Sequence, residues 1–249
     1  MENQSTGRKK KRSPFRTLCL TALLLASAAV ILNQTVFRLR YVRIVGNRTV
    51  SPGTVAALAG LDGKRGFFGL NEDEIRSGIE KDPCLVFVSL EKSFPNAVTL
   101  TVRERQPAAF VTVLSQSYVL DEEGYVLRKL NRGESGLIRL TGMNVRDIRE
   151  GERISSVNQQ QVNAYCAVMG ELKNQGADTL FTELNVSDPG GIYIISGDGF
   201  LITLGDAEEM RAKLLTVRGV LHYAESCSLP AGGLDASVAG NATYTPPEE

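Results

Sequence analysis

The sequence is short of the side chains that most enzyme centres require. Its 249 residues include one histidine, His222, which rules out an H-E-x-x-H helix or any other two-histidine metal centre. That ring falls at the end of an expected amphipathic helix, where it reads as a surface group or a helix-dipole partner rather than a base. The four cysteines, Cys19, Cys84, Cys166 and Cys227, include no C-x-x-C pair. Cys19 lies in an apolar run, so at most one disulfide can form among the other three, and the redox compartment is not fixed by them. No G-x-S-x-G, Walker or EF-hand pattern occurs. The nearest approach to a phosphate loop, "DGKRGFFG" at 62–69, lacks the spacing and the hydroxyl residue. No catalytic residue, metal ligand or cofactor is expected.

Net charge is also missing. Of 28 basic and 28 acidic residues, six and one lie within residues 1–37, which leaves 22 and 27, a net of −5, for the remainder. A mildly acidic body argues against nucleic acid as a partner.

What the chain does have is one long apolar run. "RKKKRSPFR" precedes "TLCLTALLLASAAVILNQTV" at 17–36, with no charge inside it. Twenty helical residues reach ~30 Å, the thickness of the hydrocarbon core. A transmembrane helix is expected over 17–37, with a basic cytoplasmic tail at 1–16. Arg38, Arg40, Arg43 and Arg48 partly oppose that polarity, but a long C-terminal portion is translocated largely regardless of charge. A cleavable signal peptide has the same layout, with "ASA" at 26–28 as its cut site. The run continues through Val30–Leu32 to Val36 and Phe37, longer than a usual signal core, which favours the anchor.

Residues 41–50, "YVRIVGNRTV", alternate as a short strand and end in Gly46-Asn47 turn chemistry. Ser51, Pro52 and Gly60 then bracket a helix, with Val50 and Val55 spaced as a hydrophobic staple. A second helix starts at Asn71, with three acids in its first turn, and ends at Asp82-Pro83. Two strands follow. Val86, Val88 and Leu90 share one face of the first, and Val98, Leu100 and Val102 share one face of the second. The order is strand, helix, helix, strand, strand.

The stretch "VSLEKSFPNAVTLTVRERQPAA" resembles the POTRA module of the FtsQ/DivIB bacterial cell-division family. The marks are Gly46 and Asn47 after the first strand, Phe94-Pro95-Asn96 between the last two, and Glu104-Arg105-Gln106-Pro107 at the end. That family carries a membrane anchor just before this module, so the resemblance strengthens the anchor reading.

Residues 106–240 read as a second, β-rich domain, with a flexible tail at 241–249. "AAFVTVLSQSYVLDEEGYVLRKL" gives two or three strands with a turn at Asp121–Gly124, and "LIRLTG" adds another. A helix over "SVNQQQVNAYCAVMGELKNQG" places Val162, Tyr165, Met169 and Leu172 on one stripe. Three strands follow. Asp206 is expected to cap a further helix, with Glu209 at its third position. "GGLDASVAGNATY" supplies one short strand. This order resembles the β domain of the same family, through "LDEEGYVL", "LITLGDAEEMRAKL" and Leu234-Asp235. The last strand departs from the family's Ile/Val-Asp-Leu-Arg-aromatic run.

The expected class is α+β: an N-terminal transmembrane helix, a POTRA domain over 38–105 (β-α-α-β-β), and a mixed β domain with two longer helices. The resemblance implies a non-enzymatic scaffold of the division machinery whose C-terminal region binds FtsL and FtsB/DivIC-type partners. A free sheet edge for strand addition is expected at Leu234, Asp235, Ala236, Ser237 and Val238. The alternative is a POTRA-bearing secretion or outer-membrane assembly component, but such proteins carry tandem modules and a barrel, and no series of ten-residue membrane strands follows here.

Overall fold

A computed structural model describes residues 14–61 and 65–247. The basic cluster at 8–12 and the Gly63-Lys64 pair lie outside the described residues. Helix α1 (Pro14–Thr35) covers most of the expected span. Leu20, Leu24 and Ile31 on it are exposed. Among the described residues no helix is long and apolar enough to cross a membrane. The portion of α1 with described side chains, 18–31, makes only ~21 Å of helix.

The chain divides into two compact units: one from residues up to Ile79 with Phe87–Val102, the other from Glu80–Val86 with Arg103 onward. The first holds β1 (Tyr41–Val45), α2 (Pro52–Leu58), α3 (Glu72–Ile79) and most of β2 (Leu85–Ser93) and β3 (Ala97–Glu104). Its sheet order is β1-β3-β2. β1 runs parallel to β3, with Tyr41 opposite Ala97 and Val45 opposite Thr101. The local signals fold as expected. Ser51 Oγ accepts the Thr54 N–H at 3.1 Å, and Asn71 Oδ1 accepts that of Asp73 at 2.9 Å. Val55, Ile75, Ile79 and Leu100 lose all exposure, each apolar side chain so buried contributing ~1.5–3 kcal/mol.

In β2 the buried face is the other one. Val86, Val88 and Leu90 do share a side of β2, but the buried residues are Leu85 and Phe87, while Val88 is exposed. Both faces of that strand are apolar, and the bulkier phenyl ring takes the inner one, with the Arg76 guanidinium 4.4 Å from its centre.

Gly46 has a structural reason to be glycine. Its φ is +93°, and a Cβ there would lie 1.9 Å from the Val102 carbonyl oxygen. Asn47 Nδ2 donates to Val50 O at 2.8 Å and closes the same turn. Gly46→Ala is expected to destabilise this unit by ~1–3 kcal/mol, read as faster amide exchange in peptides from 41–45 and 97–102.

The second unit holds a nine-stranded sheet, described with β4 (Ala109–Val113), β5 (Gln116–Leu120), β6 (Val126–Lys129), β7 (Ile138–Thr141), β10 (Phe181–Asn185), β11 (Ile192–Ser196), β12 (Leu201–Gly205), β13 (Gly233–Asp235) and β14 (Thr243–Thr245). β8 (Val145–Asp147) and β9 (Ser155–Ser156) form a separate ribbon. The order is β14-β13-β12-β11-β10-β7-β4-β5-β6. Antiparallel hairpins alternate with parallel joins at β4–β7, β7–β10 and β12–β13. Helices α4 (Gln159–Asn174) and α5 (Met210–Ser226) contribute to the core: Val162, Tyr165, Met169, Leu172, Leu214 and Val217 are buried in one cluster with Leu120, Leu184, Ile194 and Ile202.

Two expectations need correction here. Asp206 does not cap α5: that helix begins at Met210, and Glu209, at φ +50°, stands before it. Asp206 Oδ1 instead accepts the Glu208 N–H at 3.1 Å and the Lys213 ammonium at 2.7 Å. Lys213 is almost wholly buried, and a buried ammonium must be paired, so it claims the carboxylate. That hydrogen bond holds the Asp206 carboxyl below its ordinary range. Secondly, residues 241–249 are not simply a tail, because β14 lies within them.

Candidate partner-binding edge

β13 has neighbours on both sides. It runs parallel to β12, with Leu234 opposite Ile202, and antiparallel to β14, with Leu234 opposite Tyr244. The expected free edge at Leu234–Val238 is therefore corrected. Leu234 and Ala236 are core residues, 2% and 0% exposed. Asp235 Oδ1 accepts the Ser237 N–H at 3.0 Å, and hydrogen bonding from Ser237 holds its carboxyl below the usual range. Of the five, only Val238 is a large exposed hydrophobic side chain. After Ala236 the chain turns back and lays Thr243–Thr245 along the margin that β13 would otherwise present.

The terminal strand is thus β14. Gly232 O accepts the Leu201 N–H at 3.0 Å, and the Ala236 N–H reaches Thr203 O at 2.9 Å. With a strand period of two, Gly233 and Asp235 turn their peptide groups towards β14 and pair with Thr245 and Thr243. The N–H and C=O of Tyr244 then face away from the sheet. Two features seat this strand. Tyr244 Oη donates to Pro230 O at 2.8 Å. A Cβ at Gly232 would lie 2.3 Å from the Thr245 carbonyl oxygen, so glycine alone allows the approach.

The opposite margin is partly covered. The Val126 N–H of β6 reaches Glu152 O at 2.9 Å, and Val126 O accepts the Gly151 N–H at 2.8 Å. Unlike β6, β14 has no segment recorded against its outer side among the described residues.

Two sequence marks meet in a buried charge cluster. Arg105 Nη1 lies 2.5 Å from Asp121 Oδ2 and 3.1 Å from Glu123 Oε2. Its guanidinium stacks 3.6 Å from the centre of the Tyr125 ring. Asp121 Oδ1 accepts the N–H groups of Glu123 and Tyr125, and Tyr165 Oη donates to the Asp121 carbonyl at 2.7 Å. Burial pushes the Asp121 carboxyl up, and the Arg105 guanidinium pulls against that shift. The cluster fastens β4–β6 to α4.

The remaining marks are spread out. Asn96 O accepts the N–H groups of Arg40 and Tyr41. Phe94 packs on Phe37 and Phe67. Glu104 O receives Gln106 Nε2 at 3.4 Å. Pro95 is half-buried and Pro107 exposed. His222 is exposed on α5, and the four cysteines are free thiols.

Residues 37–105 match the POTRA domain, FtsQ-type. Over 239 residues the chain is 23% identical to the cell division protein DivIB of Clostridium botulinum, covering 95% of this chain and 93% of that one. It is 23% identical over 217 residues to DivIB of Clostridium acetobutylicum, covering 84% and 83%. To the cell division protein FtsQ of Rickettsia typhi it is 30% identical over 106 residues, 43% of this chain and 40% of that one. The solved major extracytoplasmic domain of DivIB from Geobacillus stearothermophilus aligns at 14% identity and a TM-score of 0.33, over 49% of this chain and 96% of that one. Residues 37–105 thus carry an FtsQ-type POTRA domain, and over nearly its whole length the chain is similar to cell division proteins named DivIB.

Proposed function

We propose that the chain is a single-pass membrane scaffold of the bacterial division machinery. It links early and late septal proteins by binding FtsL and FtsB/DivIC-type bitopic coiled-coil partners. The observation that carries this reading is the match to proteins named cell division protein DivIB along 95% of the chain.

In this reading α1 crosses the cytoplasmic membrane, with residues before it in the cytoplasm and both compact units outside. The apolar run favours this, as do the satisfied hydroxyls of α1: Thr21 donates to Leu18 O and Ser27 to Leu24 O, each at 2.9 Å, so neither needs a partner in hydrocarbon. Partners dock by adding a strand to β14, whose outward Tyr244 peptide group supplies one donor and one acceptor. Restriction to the membrane plane raises the effective concentration, so a short edge suffices.

The test is localisation with topology. A fluorescent fusion to the N-terminus should concentrate at the septum of dividing cells, and external protease should remove residues 41–247 while sparing the fluorophore. Uniform distribution around the membrane overturns the division role. Protection of 41–247 overturns the topology.

A further inference from the structure

Four phenylalanines gather where α1 hands over to the first unit. Phe37 lies two residues beyond the end of α1, a reach of at most ~7 Å. Its ring is 5.1 Å from that of Phe68 and 5.6 Å from that of Phe94, and Phe67 lies 5.5 and 6.0 Å from the same two. The group is held by backbone bonds. The Phe67 N–H donates to Phe37 O at 2.7 Å, and the Leu39 N–H to Arg65 O at 3.3 Å. Asn96 O takes the N–H groups of Arg40 and Tyr41 on the other side.

This cluster is unlike the rest of the core. Phe67 is buried, but Phe68 and Phe94 are 66% and 70% exposed, and Tyr41 at the same end of the sheet is 68% exposed. Two phenyl rings displayed together need a cover. Arg38 and Arg40 follow Phe37 closely in the chain and Lys92 precedes Phe94 by two residues; all three are exposed, as is Glu91 beside Lys92, and Lys92 Nζ donates to Leu70 O at 2.8 Å. Arg65 is engaged by Glu74 at 2.8 Å. Aromatic rings with basic residues close by in the chain suit the interface of an anionic leaflet.

We propose that Phe37, Phe67, Phe68 and Phe94 form a foot that seats in the headgroup–acyl boundary of the leaflet from which α1 emerges. This rests on the reading of α1 as a membrane span. Given that span, the position of Phe37 follows from covalent length alone, and its contacts carry Phe68 and Phe94 to the same depth. The foot fixes the end of the sheet bearing the 94–96 turn towards the membrane and directs β2 and β3 away from it.

The absence of tryptophan makes the test direct. The full chain, as Phe68→Trp, Phe94→Trp or Val88→Trp, is reconstituted into phosphatidylethanolamine–phosphatidylglycerol vesicles with and without brominated acyl chains. Val88 is exposed on β2, six residues from Phe94, ~20 Å along a strand. The indoles of the first two variants should be blue-shifted and lose roughly half their emission in brominated lipid, as for a ring ~5–10 Å into the boundary; that of Val88→Trp should be unaffected. If the chain resists alkaline extraction and floats with the vesicles but Phe68→Trp and Phe94→Trp behave like Val88→Trp, the foot is refuted while the anchor stands. If the chain does not float, the anchor reading fails and takes the foot with it.

Discussion

Arg105→Met is expected to be the most damaging single substitution in the second unit, lowering its stability by ~3–5 kcal/mol. Asp121 is 1% exposed and the Arg105 side chain 10%, so removing the guanidinium leaves a carboxylate in the interior with no cation against it. The stacking on Tyr125 is lost as well. The sign of the pH dependence identifies the cause. Burial raises the folded-state pKa of Asp121 above its unfolded value. A group of that kind stabilises the fold below the unfolded pKa and loses that contribution as pH rises through the folded pKa. Without Arg105 the upward shift grows, so the defect is largest near neutral pH and shrinks in acid. Amide exchange across β4–β6, compared with exchange in β1, reads both effects. Adding Asp121→Asn to Arg105→Met removes the stranded charge and should recover part of the loss. No recovery would mean that packing of the guanidinium, and not charge, holds the cluster.

The second large effect is expected at the sheet margin. Tyr244→Pro removes the outward N–H that an added strand would accept from, and it should weaken capture of the coiled-coil partners by roughly 10–100-fold. Tyr244→Phe is the control. It keeps the peptide edge and the contact with the Phe200 ring, loses only the bond to Pro230, and should bind nearly as well as the unaltered chain. Equal weakening by both variants would place the effect in the seating of β14 rather than in its edge.

Why the first unit was legible in the sequence and the β14 margin was not follows from element length. Val98, Leu100 and Val102 alternate across a whole strand, and the helix starts at Ser51 and Asn71 carry their own caps, so the first unit can be read locally. "Thr-Tyr-Thr" offers three residues beside Pro246-Pro247, too few for a period, and its pairing with β13 depends on a return of the chain that no local signal marks. β13 itself was visible as a strand, but its neighbours were not. Its partner β12 lies across α5 in sequence, and alternation gives a face without naming who sits on either side. In β2 the face shared by Val86, Val88 and Leu90 was legible but not which face is buried, since Leu85, Phe87, Val86 and Val88 make both faces apolar. At Asp206 the capping pattern was present, but a buried Lys213 competed for the carboxylate and won. Arg105 and Asp121 were visible as separate marks, but their pairing at 2.5 Å joins positions sixteen residues apart and shows only in the fold.

The scaffold account stands on β14 as the docking margin. Photoreactive residues placed singly at Thr243, Tyr244 and Thr245 in dividing cells, with matched positions along Val126–Lys129, test it most directly. The account predicts adducts with small bitopic coiled-coil proteins from the first set and none from the second. Adducts from the β6 margin alone, or partners retained with no crosslink anywhere along β14, would contradict it.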